Sequence, residues 1–322
     1  MSDRQVLVIT SLQDTTADDV ITELGRRGVP VARVDLADFP CNVTLAARTR
    51  SAPDTQSVHV GTLRSASRSI DLGNVRAVYY RRPEPFHFPL MEPEDRRFAV
   101  MQANYGFGGV LAALSGCLYV NHPQRIADAD VKPAQLAVAA DVGFNVPETL
   151  ITNDPDEARR FAAEVGAIVY KPFRVPLLHS RDNEPLTMYV REANPTDFDE
   201  SIGLTAHMFQ ALVDKVADIR VTVIGSHIFA VRIDSDLLDW RADFSVHRYT
   251  VIDTPPLLVR AMREYLRRFG LVFGAFDFAL SEDGAWSFLE CNANGQWAWL
   301  EESTGLPMTA ALVDLLQRKH VS

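Results

Sequence analysis

Three oxygen-bearing side chains late in the sequence can converge on one point. Glu290 and Asn292 lie in Trp286-Ser287-Phe288-Leu289-Glu290-Cys291-Asn292-Ala293-Asn294-Gly295, and Asp277 precedes Glu290 by thirteen residues in Gly274-Ala275-Phe276-Asp277-Phe278. Positions i and i+2 of a strand share a face, so Glu290 and Asn292 point the same way, with Asp277 supplied by a second strand. An all-oxygen set with few carboxylates suits magnesium, which keeps waters and takes its remaining ligands from nucleotide phosphates. The alternative is a solvated strand edge that happens to end in acidic residues.

Two lysines and an apolar segment bear on that choice. Lys171 ends the apolar run Ala167-Ile168-Val169-Tyr170 and precedes Pro172. A charge leaving a buried strand must find a partner, and a nucleotide phosphate would serve; snorkelling to the strand end is the alternative. Lys132 sits near the start of a helical stretch, where a plain surface lysine is the competing assignment. The segment Phe209-Gln210-Ala211-Leu212-Val213-Asp214-Lys215 is apolar and ends in charge. As an extended linker it can offer backbone N–H and C=O groups to the edge of an adenine, with nearby polar side chains for the ribose. Asp218 and Arg220 follow on one face of the next strand, where a cross-strand ion pair is the alternative.

The elements that must position these residues follow from length and patterning. At 322 residues, 47% hydrophobic and 23% charged, the chain has the composition of an ordinary globular protein with two or three subdomains. A net charge of -10 argues against general nucleic-acid binding. No apolar run is long enough to span a membrane, and Met1-Ser2-Asp3-Arg4 leads into a strand, so a cytoplasmic protein is expected. Cys41, Cys117 and Cys291 are odd in number and lack CxxC spacing, which suggests reduced thiols and no zinc site.

Val6 to Ile9, a helix from Ala17 to Arg27 ending at Gly28, and Val31 to Val34 give a β-α-β start without GxGxxG. Ser51 to Ile70 reads as an edge hairpin, Val75 to Tyr80 as a strand, and Glu94 to Ser115 as a long helix. After Asn121-His122-Pro123 come a helix from Ala127 to Val142, strands Pro147 to Thr152 and Ile168 to Pro172 around a helix from Asp156 to Val165, and strands between Ile219 and Ile233. A helix from Pro256 to Phe269, the strand pair with Asp277 and Glu290, and a helix from Thr309 to Lys319 follow.

Taken in order, Lys132, Lys171, Gln210 to Lys215, Asp218-Ile219-Arg220, Asp239-Trp240-Arg241 (taken as a strand), Asp277 and Glu290-Cys291-Asn292 resemble the ATP-grasp ligases over almost the whole chain. Within that superfamily the sequence is most similar to the maturases of ribosomal peptides, the microviridin or graspetide macrocyclases. Tyr80-Arg81-Arg82-Pro83, Asn121-His122-Pro123, Lys132-Pro133-Ala134-Gln135-Leu136, Val146 to Pro155 and Val169-Tyr170-Lys171-Pro172 carry this, with the Glu290 segment. The resemblance implies an α/β, three-subdomain ATP-grasp fold: a doubly wound pre-ATP-grasp domain over 1–122, a central α+β subdomain over 123–207 with a hairpin at about 173–191, and a C-terminal α+β subdomain over 208–322. It implies ATP and magnesium as cofactors, two ions being expected, and a ribosomally made precursor peptide with a leader as partner. Dimers are common among similar enzymes, so a homodimer is compatible.

The implied reaction is phosphorylation of an Asp or Glu side chain of the peptide, then attack by a Thr or Ser hydroxyl, or a Lys amine, to give an ester or amide. Lys132, Lys171, Gln210, Leu212, Val213, Lys215, Asp218 and Arg241 would bind ATP; Asp277, Glu290 and Asn292 would hold magnesium. Arg241 and Arg220 would stabilise charge on the transferring group. Arg81, Arg82, Arg174 and Asp182 are candidate peptide contacts, the first two by bidentate pairing with acidic side chains. Solvated loop charges or a domain-interface ion pair are the alternative for Arg81 and Arg82. Trp297 and Trp299 suit packing better than a substrate platform.

Two departures qualify the resemblance. Phe173 to Glu184 contains no glycine where many ATP-grasp enzymes have a Gly-rich lid, so a leader-docking hairpin is expected instead. Ala211 stands where the superfamily often has Glu, which is tolerable if Leu212 and Val213 read adenine by backbone groups. Two other functions stay open: a ligase adding free amino acids to a protein or peptide, as in ribosomal-protein glutamate ligases, and a regulatory nucleotide-binding protein. Asp277, Glu290 and Asn292 speak against the latter.

Overall fold

The computed structural model describes residues 4–49, 59–174, 178–179, 185–186, 189–242 and 247–318. Its first domain is built on four parallel strands in the spatial order Val31–Val34, Gln5–Ile9, Val75–Tyr80 and Leu118–Val120. Val6 to Ile9 are fully buried, as expected of a parallel strand covered on both faces. The helix Thr15–Arg26 is capped by Asp14, whose carboxylate accepts from the Ala17 N–H, and buries Thr16, Ala17, Val20 and Leu24 at helical spacing. It ends where Gly28 adopts φ 70°, a conformation that favours glycine.

Two expectations for this domain change. In place of an edge hairpin, Val43–Thr49, His59–Ser65 and Ser69–Asp71 form a separate three-stranded antiparallel sheet, with 50–58 outside the described residues. The long helix runs from Pro93 to Ala112, but through a π-turn at Asn104–Gly108 where three of five residues between Gly106 and Val110 are otherwise poor helix formers.

The central sheet is antiparallel, in the order Arg191–Ala193, Ile168–Tyr170, His207–Ala211 and Thr149–Thr152. The helix Pro155–Val165, capped by Asp154, lays Ala158, Phe161 and Ala162 over Ile168 and Phe209. Leu178–His179 pairs with Pro185–Leu186 as a two-stranded ribbon. A third sheet, also antiparallel, runs Arg248–Ile252, His227–Asp234, Ala217–Ile224, Phe273–Leu280 and Trp286–Asn292. Phe144, Met262, Tyr265, Phe276, Phe278 and Phe288 fill its core under the helix Pro256–Phe269.

The first and third sheets share packing. The helix Met308–Gln317 touches the helix Thr15–Arg26, the strand Val75–Tyr80 and the strand Ala217–Ile224. One apolar cluster therefore joins Val6, Val8, Ala77 and Tyr79 to Phe273, Ala275, Trp297, Leu312 and Leu316. Asn121, buried at the end of the first sheet, donates to the carbonyls of Phe273 (2.9 Å) and Ala293 (2.8 Å) and accepts from the N–H of Val272 (2.8 Å). No helix among the described residues is long and apolar enough to cross a membrane.

Candidate functional site

A cavity of about 320 Å³ opens between the central and third sheets, within the size range of small-molecule sites. Its floor is the strand pair carrying Asp277 and Glu290, which face each other across the ladder, with Ala275 opposite Asn292. This placement depends on a bulge. Phe278 pairs with Phe288 while Asp277 pairs with Glu290, so Leu289 is an extra residue. In a regular strand Glu290 would share the face of Phe288, which is fully buried among aromatic rings. The extra residue reverses the parity and turns Glu290 and Asn292 to the cavity, leaving Cys291 in the core.

The helical stretch expected from Ala127 to Val142 is in fact two helices, Pro123–Ala129 and Lys132–Asp141, with Val131 extended between them. Pro133 accounts for the break: in a continuous helix its ring would clash with the carbonyl of Ala129. The second helix then starts at Lys132, whose ammonium lies 2.7 Å from Glu290 Oε2. Gln135, one turn on, accepts from the Cys291 N–H at 2.9 Å and donates to the Ala129 carbonyl at 2.6 Å, fastening the break to the bulged strand.

Arg241 enters from the other side. Its guanidinium is held by Asp239, with Nε to Oδ1 and Nη2 to Oδ2 both at 2.8 Å, and its Nη1 stands 3.6 Å from Glu290 Oε1. Asp239-Trp240-Arg241, expected as a strand, belongs instead to a short 3₁₀ turn at Trp240–Ala242, and Asp239 also caps the Arg241 N–H at 3.2 Å. Burial pushes the Glu290 carboxyl up, but the charges of Lys132 and Arg241 and the Lys132 hydrogen bond outweigh it, and Glu290 is held well below the usual carboxylate range. Burial moves Asp277 the other way, only partly offset by Arg220.

The donor set fits a magnesium ion. Asp277 Oδ1 is buried without a hydrogen-bond partner, while Oδ2 is taken by Arg220 Nη1 at 2.5 Å. No third Asp, Glu, His or Cys joins the pair among the described residues, so Asn292 and water must complete the shell. The Asn292 amide donates to Asp277 Oδ2 (3.3 Å) and Glu290 Oε1 (3.2 Å); ligation needs its oxygen there instead, which a half-turn about Cβ–Cγ provides.

Farther up the cavity, Lys171 donates to Gln210 Oε1 at 2.6 Å, and Gln210 donates to Thr149 Oγ1 at 2.9 Å. Burial pulls the Lys171 ammonium down to about 8, against the pull of Glu290 in the other direction. Lys215 reaches Asp218 Oδ2 at 2.6 Å and the Leu238 carbonyl at 2.8 Å; burial pushes Asp218 up to about 6 despite that pair. Phe209 to Ala211 prove to lie inside the central sheet, pairing with both neighbours, so the extended linker is shorter than expected. The Leu212 N–H is already given to the Ala167 carbonyl at 2.9 Å, which leaves the Leu212 carbonyl and the Val213 N–H for a ligand edge.

Lys132, Lys171, Gln210, Leu212, Val213, Lys215, Asp218, Arg241, Asp277, Glu290, Asn292 and Arg174 thus line one cavity. Three expected residues do not. Arg220 is buried behind Asp277, with its other nitrogen on the Gln296 carbonyl at 3.1 Å, so it supports the carboxylate and does not face a transferring group. Arg81, expected to touch peptide, is only 1% exposed and ion-paired with Asp14 at 2.8 Å. Arg82 is exposed and its Nε is 3.4 Å from the Asn294 carbonyl, away from the cavity. Asp182 lies outside the described residues. Trp297 is buried in the shared core, and Trp299 packs with Trp240 and Tyr249.

Asp130 was not anticipated. It lines the cavity at the helix break, and burial raises its carboxyl, eased by Arg174 and Lys132. The proline rule applied at Pro133 would have exposed it.

Comparison with known proteins agrees with this architecture. Residues 5–127 match the model of the MvdD pre-ATP-grasp domain. The chain superposes on macrocyclase MdnC of Microcystis aeruginosa MRC, bound with precursor peptide MdnA, with TM-score 0.84 and 25% identity over 97% of this chain and 99% of that one. It superposes on macrocyclase MdnB of the same organism with TM-score 0.82 and 28% identity over 98% and 99%. For ATP-grasp ligase PsnB complexed with minimal precursor, Mg and ADP, the values are 0.72, 23%, 98% and 98%. No curated protein sequence matches significantly. The chain has the ATP-grasp fold: residues 5–127 match an MvdD-type pre-ATP-grasp domain, the two sheets that enclose the cavity follow it, and the solved structures it superposes on here are peptide macrocyclases and a ligase of that fold.

Proposed function

We propose that the protein is an ADP-forming peptide macrocyclase acting on a ribosomally made precursor. The observation that carries this is the cavity floor, where Lys132 and Arg241 converge on Glu290 and Asp277, its Oδ1 buried without a hydrogen-bond partner, stands opposite Glu290 in the ladder. Magnesium bound by Asp277, Glu290 and Asn292 would neutralise phosphate charge and align the γ-phosphoryl group. Lys132, Lys171 and Arg241 supply the remaining positive charge, and Lys215, Asp218, Leu212 and Val213 enclose the nucleoside.

A carboxylate becomes a useful electrophile only once an oxygen is made a leaving group. One oxygen of a peptide Asp or Glu takes the γ-phosphoryl group and ADP departs. A peptide hydroxyl or amine then bonds to the acyl carbon, phosphate leaves with that oxygen, and the nucleophile loses its proton. Arg241 stays near the phosphoryl oxygens through both steps, since Asp239 fixes its plane. Arg174, at the cavity mouth, is placed to meet an acidic peptide.

Mass spectrometry of a candidate precursor, incubated with protein, ATP and magnesium, checks the reaction. Each ring should remove the mass of one water and release one ADP. A gain equal to an amino-acid residue would replace macrocyclisation by amino-acid ligation.

Lys171 makes nucleotide binding pH-dependent. The free site loses the Lys171 proton near pH 8, whereas bound polyphosphate favours the ammonium, so above that pH binding takes up a proton. The dissociation constant for ADP, measured by calorimetry, should rise above pH 8 by up to about tenfold per unit. Lys171→Met should bind more weakly and flatten the dependence. Glu290, Lys132, Arg241 and Asp277 are the charged groups that act on this amine, the two carboxylates favouring the ammonium and the two cations opposing it.

A further inference from the structure

We propose that Arg81, contributed by the first domain, is a positioning residue for the segment Asn292–Gln296, and so sets the affinity of the site for its divalent cation. The proposal rests on the reading that Asp277, Glu290 and Asn292 hold magnesium.

A guanidinium that is 1% exposed needs fixed partners on every side. Arg81 has Nε 2.8 Å from Asp14 Oδ2, Nη1 3.2 Å from the Gly295 carbonyl, and Nη2 on Gln296 Oε1. Asp14 is itself oriented, accepting from Thr10 Oγ1 at 2.8 Å and capping the first helix at the Ala17 N–H. Thr16 Oγ1 adds a contact to Gln296 Oε1 at 3.2 Å. The first domain thus presents a rigid fork to a loop of the third sheet.

That loop follows directly from the metal-facing strand. Arg220 also holds it, joining the Gln296 carbonyl to Asp277 Oδ2. Gly295 shows how little room is left: a Cβ there would lie 2.7 Å from Ala275 Cβ, 2.8 Å from Arg220 Nη2 and 3.1 Å from Asn292 Cβ. The backbone three residues after Asn292 is therefore closely packed, and Arg81 and Arg220 both hold it, at the Gly295 and Gln296 carbonyls respectively. Loss of the Arg81 fork frees the loop, and with it Asn292 and the Arg220 nitrogen that holds Asp277.

A purely structural ion pair would affect stability alone; a positioning role moves the cation response. ADP binding to the full chain is measured by calorimetry, first in EDTA and then across a magnesium titration. The variants are Arg81→Lys, which keeps the charge but not the fork, and Gln296→Ala, which leaves the Arg81–Asp14 pair intact and lines no part of the cavity. Both should bind ADP without metal as the parent does, and both should need about tenfold or more magnesium for the half-maximal effect. If Arg81→Lys does not fold, Gln296→Ala decides alone. An unchanged magnesium midpoint in folded Gln296→Ala overturns the proposal. Glu290→Gln is the control: if it abolishes the magnesium response while the two variants do not shift it, the clamp fails and the metal site stands. If Glu290→Gln also leaves the response unchanged, the metal assignment fails and the clamp with it.

Discussion

Glu290→Gln should lower ring formation by at least about a hundredfold while precursor binding changes little. Glu290 is the point where Lys132, at 2.7 Å, and Arg241, at 3.6 Å, meet a carboxylate that also faces Asp277 across the ladder. The amide keeps the shape and one oxygen but removes the charge. Lys132 and Arg241 then repel without a counter-charge between them, and a cation loses one of two anionic ligands. The measurement is single-turnover conversion of precursor by mass spectrometry beside peptide affinity by calorimetry. Parallel loss of conversion and peptide affinity would contradict a separate, metal-independent peptide surface.

Arg220→Met should destabilise the fold by about 3–5 kcal/mol, because it strands a buried charge. Asp277 is 7% exposed, its Oδ1 is already without a partner, and Arg220 supplies the 2.5 Å contact to Oδ2. Burial raises the Asp277 pKa in the folded protein, and removing Arg220 raises it further. A carboxyl with a raised folded pKa takes up protons on folding, so its penalty is full at neutral pH and shrinks as pH falls through that folded value. Urea denaturation of parent and variant at several pH values should show the gap narrowing toward acid. Arg220→Met combined with Asp277→Leu should lose less stability than Arg220→Met alone.

The sequence carried the chemistry of the site better than its geometry. That Asp277, Glu290 and Asn292 converge was legible, because period-2 spacing placed Glu290 and Asn292 on one face and a second strand supplied Asp277. The Leu289 bulge was not legible: nothing local distinguishes a strand with one extra residue, and only the pairing of Phe278 with Phe288 reveals it. The same period-2 rule grouped Arg220 with Asp218 but could not say that cavity and loop lie at different heights along that face. Pro133 did announce a helix break, which hydrophobic periodicity overrode. For Arg81 the sequence left peptide pairing, a solvated loop charge and a domain-interface ion pair side by side, because its burial depends on Asp14 and on residues more than two hundred positions away.

The helix Met308–Gln317 couples the order of synthesis to the order of folding. Together with the helix Thr15–Arg26 it covers the face formed by Val6, Val8, Ala77 and Tyr79, which precede it by more than two hundred residues. A partial chain that ends before Met308 has that face covered by the helix Thr15–Arg26 alone, and the central and third sheets must be added before the second cover emerges. Docking of that helix also joins the first sheet to the third, since it touches a strand of each.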